Sequence, residues 1–150
     1  MTKQKWLGLT AVLALALCLL IPWAGAADAE RVNAQLCPDF VIVIDGAERT
    51  FYNASGSEVH PIFYRGTTYL PVRAIGELMG RDVDWNQSTL TVTLTAPRTA
   101  AATAGTPDAK AQRRDITAEV RPDFTIIVDG TKRTFTEENG DVVYPILFQG

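Results

Sequence analysis

Few residues in this chain have types and spacing that could do chemistry. Cys37 and His60 are the raw material of a thiol nucleophile and its base. Such a pair needs a positioned base and a third group to orient it, and the sequence places neither. His60 is the only histidine. A copper or zinc site wants several His, Cys or carboxylate ligands, so ligand count argues against a metal. Asp82 and Asp84 lie two apart on a strand and share a face. They could serve as acid and base, or as weak calcium ligands. They read better as the solvated side opposite Val83 and Trp85, because nothing nearby implies a raised pKa.

Arg73 and Glu77 stand four apart on a helix, in the weaker order for an ion pair. Arg73 is expected to dock helix to sheet, through Glu77 or through a strand carboxylate such as Asp45 or Asp84. Tyr64, Tyr69 and Trp85 could line a glycan-binding surface, although such residues more often fill the core of a small domain. The residues therefore specify no catalytic, cofactor or metal site. Asn53-Ala54-Ser55 and Asn86-Gln87-Ser88 match glycosylation sequons and read as turn sequences.

The elements that position these side chains centre on Gly66–Gly80, GTTYLPVRAIGELMG. It reads as a strand running into a short helix, with Pro71 in the first turn and Gly80 as the stop. Val72, Ile75, Leu78 and Met79 form the expected apolar face. Gly76 lies beside it, where a missing side chain admits close backbone approach.

An internal repeat supplies the frame. Residues 38–66 read PDFVIVIDGAERTFYNASGSEVHPIFYRG, and residues 122–150 read PDFTIIVDGTKRTFTEENGDVVYPILFQG. The offset is 84 throughout, without a gap. His60 matches Tyr144, so the unit does not require imidazole there. Phe40–Ile44, Ala47–Tyr52, Val59–Tyr64 and Thr67–Leu70 read as strands. Asp45-Gly46 is a two-residue hairpin turn signal, and Pro61 sends its strand to an edge or bulge. Beyond the helix, Asp82–Trp85 is a short strand. Thr89–Leu94 alternates strictly, with Leu90, Val92 and Leu94 inward.

The expected fold class is α+β: a small antiparallel sheet packed around one helix, in tandem with a second, truncated copy. The complete unit spans 38–94 and is expected to fold alone. Residues 95–120 read as an Ala/Thr/Pro-rich flexible linker. Residues 121–150 read as the first half of a second unit, without its helix.

Residues 1–26 have the layout of a secretory signal peptide. Lys3 and Lys5 precede an apolar run from Leu7 to Ile21, and Ala24-Gly25-Ala26 offers a cleavage site. That run is short for a span, so any membrane attachment would come only through an uncleaved leader. Cys18 has Leu17 before it and Leu19 after it, unlike a lipidated cysteine. Cleavage leaves Cys37 as the single thiol, with a buried, intermolecular or reactive fate all open. The formal charge is -3, and loss of the leader leaves 12 basic against 17 acidic residues. That balance disfavours nucleic acid and anionic lipid as partners.

The succession of an apolar strand, D-G, a P-I strand, GTTYLPVRAIGELMG and VDWN…TVTL resembles the copper amine oxidase-like N-terminal domain, or stalk domain. Tyr69-Leu70-Pro71-Val72-Arg73, Gly80 and Trp85 carry most of the likeness. The resemblance spans 38–94 and, in its first half, 122–150. It implies an exported bacterial protein, secreted or at the cell surface, often with tandem copies or a separate enzymatic domain. It implies no copper chemistry, since in true copper amine oxidases the metal ligands and quinone-forming tyrosine belong to a different domain. The expected function is a non-catalytic stalk or binding module, without cofactors, whose partner is cell-wall glycan or another envelope protein. Two alternatives stand beside it. One is the accessory region of a cell-wall enzyme, such as a peptidoglycan amidase with its catalytic domain beyond residue 150. The other is a glycan or small-ligand binding protein.

Overall fold

A computed structural model describes residues 28–99, 101 and 103–149. The leader 1–26, Cys18 and Gly150 lie outside the described residues. The chain begins with strand β1, Glu30–Leu36. Val32, Ala34 and Leu36 alternate inward along it and are buried, as a half-buried strand requires. β1 pairs antiparallel along its whole length with β10, Arg114–Val120, from Glu30↔Val120 to Leu36↔Arg114. Neither strand stands out in the sequence. β10 occupies the end of the stretch expected to be linker.

These two strands show that the repeat starts earlier than residue 38. Val32, Ala34 and Leu36 correspond at the same offset to Ile116, Ala118 and Val120. In the ladder Asn33 lies opposite Thr117, its own counterpart. An antiparallel pair centred on equivalent residues is a local two-fold axis, so the copies are related by pseudo-symmetry. The flanks obey it. β6, Ile62–Tyr64, joins β1 through Gln35↔Phe63 and Leu36↔Ile62. β15, Ile146–Leu147, joins β10 through Glu119↔Leu147 and Val120↔Ile146. β7, Thr67–Tyr69, extends the sheet to the order β15-β10-β1-β6-β7.

Each copy next makes two short hairpins. β2 and β3, Val43–Ile44 and Ala47–Glu48, match β11 and β12, Thr125–Val128 and Thr131–Arg133. Their turns place Asp45 at φ 52° with Gly46 at 76°, and Asp129 at 49° with Gly130 at 76°. Two successive positive φ values are the type I′ turn that Asp-Gly favours. β4 and β5, Phe51–Tyr52 and Glu58–Val59, match β13 and β14, Phe135–Thr136 and Val142–Val143. The single strand expected over 47–52 is thus two strands in two hairpins. Pro61 interrupts pairing as expected, and its carbonyl accepts the Cys37 N–H at 2.9 Å. The Pro145 carbonyl accepts the Arg121 N–H at 2.8 Å in the same way.

The organising stretch continues through helix α1, Val72–Leu78, into β8, Asp82–Asn86, and β9, Thr91–Thr95. β8 and β9 pair antiparallel. The other edge of β9 pairs in parallel with β11 of the second copy, from Thr125↔Thr91 to Val128↔Leu94. The resulting sheet has the order β12-β11-β9-β8.

The expected α+β fold is therefore corrected. The described chain is mostly β, 44% strand against 6% helix, in several small sheets. The physical reason is where apolar area is buried. One core joins Val32, Ala34 and Leu36 to Ile116 and Ala118. The other joins Val83, Val92 and Leu94 to Ile126 and Val128. Both are made of strand residues drawn from both copies. The two-turn helix contributes to neither. Val72, Leu78 and Met79, expected on its buried face, are exposed; its buried residue is Gly76.

Candidate functional site

Gly76 explains how the helix is seated. A Cβ there would stand 2.5 Å from Val83 Cγ2 and 3.0 Å from Leu94 Cδ2. Only a bare Cα lets the helix lie this close to β8 and β9. The helix also lies beside β4, the strand that carries Phe51, which is only 4% exposed.

The charged docking differs from expectation. Arg73 stands 4.0 Å from Glu77, at the limit of an ion pair. Glu77 is held instead from the segment after β9. Its carboxylate accepts the Thr103 N–H at 2.9 Å and the Thr103 hydroxyl at 3.1 Å. Arg98 lies 3.3 Å away. Burial pushes this carboxyl up, but the Thr103 bonds and the Arg98 charge outweigh it and hold it below its usual range. Helix is thus tied to connecting segment rather than to sheet. Described residues within 95–120, the stretch expected to be flexible linker, serve as a strap. Asp82 accepts the Thr99 N–H at 2.9 Å, and Thr106 N–H donates to the Gly56 carbonyl at 3.2 Å.

The richest cluster of side chains lies at the seam between copies. Arg81, just after the helix, forms an ion pair with Asp129 in the β11–β12 turn. Asp129 also accepts the Ala96 N–H at 3.3 Å. The Arg81 hydrogen bond holds the Asp129 carboxyl below its usual range. Trp85 packs on Phe124 with ring centroids 4.9 Å apart, and Arg121 lies over the same Phe124 ring at 4.1 Å. Arg121 forms a two-bond fork on Asp123, at 2.9 and 2.7 Å, which lowers the Asp123 carboxyl. Sequence reasoning missed this seam. Trp85, Phe124 and Asp129 were each visible, but nothing in their spacing links them.

The other candidates are scattered. His60 Nδ1 lies 3.6 Å from Glu58, with 10% of its side chain exposed. Cys37 is fully buried and donates its thiol to the Gln35 carbonyl at 3.6 Å. Among the described residues no three His, Cys, Asp or Glu converge as a metal site would need. Asp84 is exposed. Tyr64 packs against the β1–β10 core, and burial raises the Tyr69 phenol. Both belong to the five-stranded sheet and Trp85 to the other, so the three aromatics do not form one strand-borne platform. Asn53 and Asn86 are turn residues. Each side-chain oxygen accepts a backbone N–H two residues on at 3.0 Å, an Asx turn.

A groove of about 280 Å³ lies between the two second-copy hairpins, lined by Phe124, Ile126, Phe135, Val143 and Pro145 among others. The counterpart groove in the first copy measures about 140 Å³. Phe135 is 46% exposed, against 4% for its counterpart Phe51.

These features define a duplicated, strand-rich module whose copies are clamped by a helix–hairpin segment. The chain belongs to the copper amine oxidase N-terminal domain family, whose model matches residues 48–136. That span is more than half of the chain. It runs from β3 through the strap to β13, across the seam rather than over one copy. No curated protein matches, nor does any solved structure.

Proposed function

We propose that the chain is an exported, non-catalytic module of the cell envelope whose work is mechanical: spacing and attachment. The observation that carries this reading is the use made of its best-formed polar groups. Glu77, Arg81, Arg98 and Asp129 bind the helix, the strap and the second copy to one another. The leader-like layout of residues 1–26 supports export, and membership of the family supports a stalk role.

Export is tested by expressing the full chain in a bacterium and sequencing the N-terminus of the protein from the extracytoplasmic fraction. The expected mature chain starts at Ala27. A chain that keeps Met1 and stays in the cytoplasm would overturn the export reading. Attachment is tested by retention on purified cell wall; loss to the soluble fraction at all salt concentrations would count against it.

A further inference from the structure

Residues 103–113 cross the surface of the first copy between α1 and the start of β10. Residues 104–110 are exposed, so little apolar area holds them down and polar ties must do it. Those ties share a pattern. At the near end the Thr103 N–H and hydroxyl both bond the Glu77 carboxylate, at 2.9 and 3.1 Å. At the far end the Arg113 guanidinium forks on the Asp39 carboxylate, at 3.1 and 2.6 Å, and lies 5.1 Å from the centre of the Phe40 ring. Between them the Asp108 N–H bonds the Glu58 carboxylate. The Thr106 N–H bonds the Gly56 carbonyl at 3.2 Å, a tie between neutral groups. The Lys110 and Ala111 amides turn inward onto Asp108 itself, at 3.0 and 3.2 Å. Gly105 sits against Tyr52, where a Cβ would run into the ring.

A hydrogen bond to an ionised group is roughly twice as strong as one between neutral groups, so protonating Glu77 and Asp39 weakens both ends. Glu77 faces Arg98 at 3.3 Å and Arg73 at 4.0 Å. Asp39 faces Arg113, which also lies near the Cys37 thiol. Glu58 faces His60 Nδ1 at 3.6 Å. The Arg113 hydrogen bond holds the Asp39 carboxyl below its usual range. At Glu77 burial pushes upward, and the Thr103 bonds and the Arg98 charge outweigh it. Both latches are therefore fully shut above about pH 4 and loosen as pH falls through the lower folded values. The body of the fold holds by other means. β1 pairs with β10 and β9 with β11 through backbone groups, and the buried residues of both cores are apolar. The Arg81–Asp129 pair titrates as well, but it sits beside the β9–β11 ladder.

We propose that residues 103–113 form a strap latched at both ends by carboxylates, which acid opens as a unit while both cores stay folded. Opening frees the Arg113 guanidinium and bares the Tyr52 ring beneath Gly105.

Native-state hydrogen exchange of the full chain, read residue by residue by NMR and corrected for the intrinsic rate, tests this. From about pH 6 to about pH 3 the protection of the Thr103, Thr106 and Asp108 amides should fall about tenfold, while the β1–β10 ladder keeps its own. The double variant Glu77→Gln, Asp39→Asn should show that low protection already at about pH 6 and respond little to further acid. Gly105→Ala, which loosens the middle without a titrating group, should lower protection at Thr106 equally at both pH values. Circular dichroism melts confirm that the variants stay folded. Asp39 is exposed, so Asp39→Asn alone decides should the double variant fail to fold: it should cut protection at Asp108 about threefold at about pH 6, and an unchanged value overturns the proposal. Unchanged strap protection in acid also overturns it. So does loss of protection in strap and ladder together, which is global unfolding. An acid response that survives in the double variant overturns it too, because Glu58 and His60 would then be the groups that open the strap.

Discussion

Phe51 and Phe135 are the same residue of the same design, 84 positions apart, with the same hairpin around each. One is 4% exposed and the other 46%. Asp45 and Asp129 make the same comparison in charge. Both sit at positive φ in identical turns, but only Asp129 holds Arg81. Hairpin geometry is thus a property of the local sequence and is reproduced wherever that sequence occurs. Burial and ion pairing are not local. They depend on the helix–hairpin segment, which the described chain offers once.

The largest expected effect tests whether the copies are separable at all. A fragment of residues 28–96 contains the whole unit expected from sequence, but it lacks β10 and β11. It would bare one face of Val32, Ala34 and Leu36 and one edge of β9. We expect it to lose the cooperative thermal transition of the full chain, followed by circular dichroism. A sharp transition in the fragment would show that the first copy folds alone.

Next comes the aromatic pair. Phe51→Ala should cost about 3–5 kcal/mol, the range for a buried Phe. Phe135→Ala should stay within about 0.5 kcal/mol, as surface changes do. Urea unfolding of both variants measures the contrast, and equal costs would break it.

Gly76→Ala follows. Alanine favours a helix over glycine by about 1 kcal/mol. The new methyl, however, would meet the stiff Val83 side chain at 2.5 Å, and overpacking costs about 1–3 kcal/mol. We expect net destabilisation of about 1 kcal/mol, partly restored by Val83→Ala in the double variant.

The smallest effect is acid sensitivity. The folded Asp129 carboxyl lies below its ordinary value because of Arg81, so its contribution is present above the unfolded pKa of about 3.9. That contribution is lost as pH falls through the lower folded pKa. Asp129→Asn should therefore flatten the acid limb of the stability profile slightly relative to the parent chain. Melting temperatures from pH 7 to pH 2 make the comparison.

Much of the local structure was legible. Asp-Gly announced both type I′ turns, Pro61 its interruption, Gly76 its close contact and Val92 and Leu94 their inward alternation; Leu90, expected inward on the same strand, lies instead in the preceding turn at φ 49°. The family was legible too, in the stretch around Tyr69–Arg73. The strands β1 and β10 were not. Asn33, Gln35, Thr117 and Glu119 make them too polar to stand out. Their signal was the repeat itself, which continues upstream through Val32/Ile116 and Ala34/Ala118. The distinctive stretch points to Arg73 for the docking role. Arg81, Arg98 and Thr103 perform it from positions with no local pattern.

Side-chain period and turn chemistry act over a few residues, so this sequence by itself determined where hairpins form, where the helix starts and which glycine must stay bare. Which strand lies beside which was decided only in the tertiary structure. β9 pairs with β11, and β1 with β10, through backbone N–H and C=O groups that every residue but proline carries alike. Such pairing leaves little trace in residue identity. The choice between partners rests on the apolar area that each arrangement buries, and here that area is shared between two copies of one design.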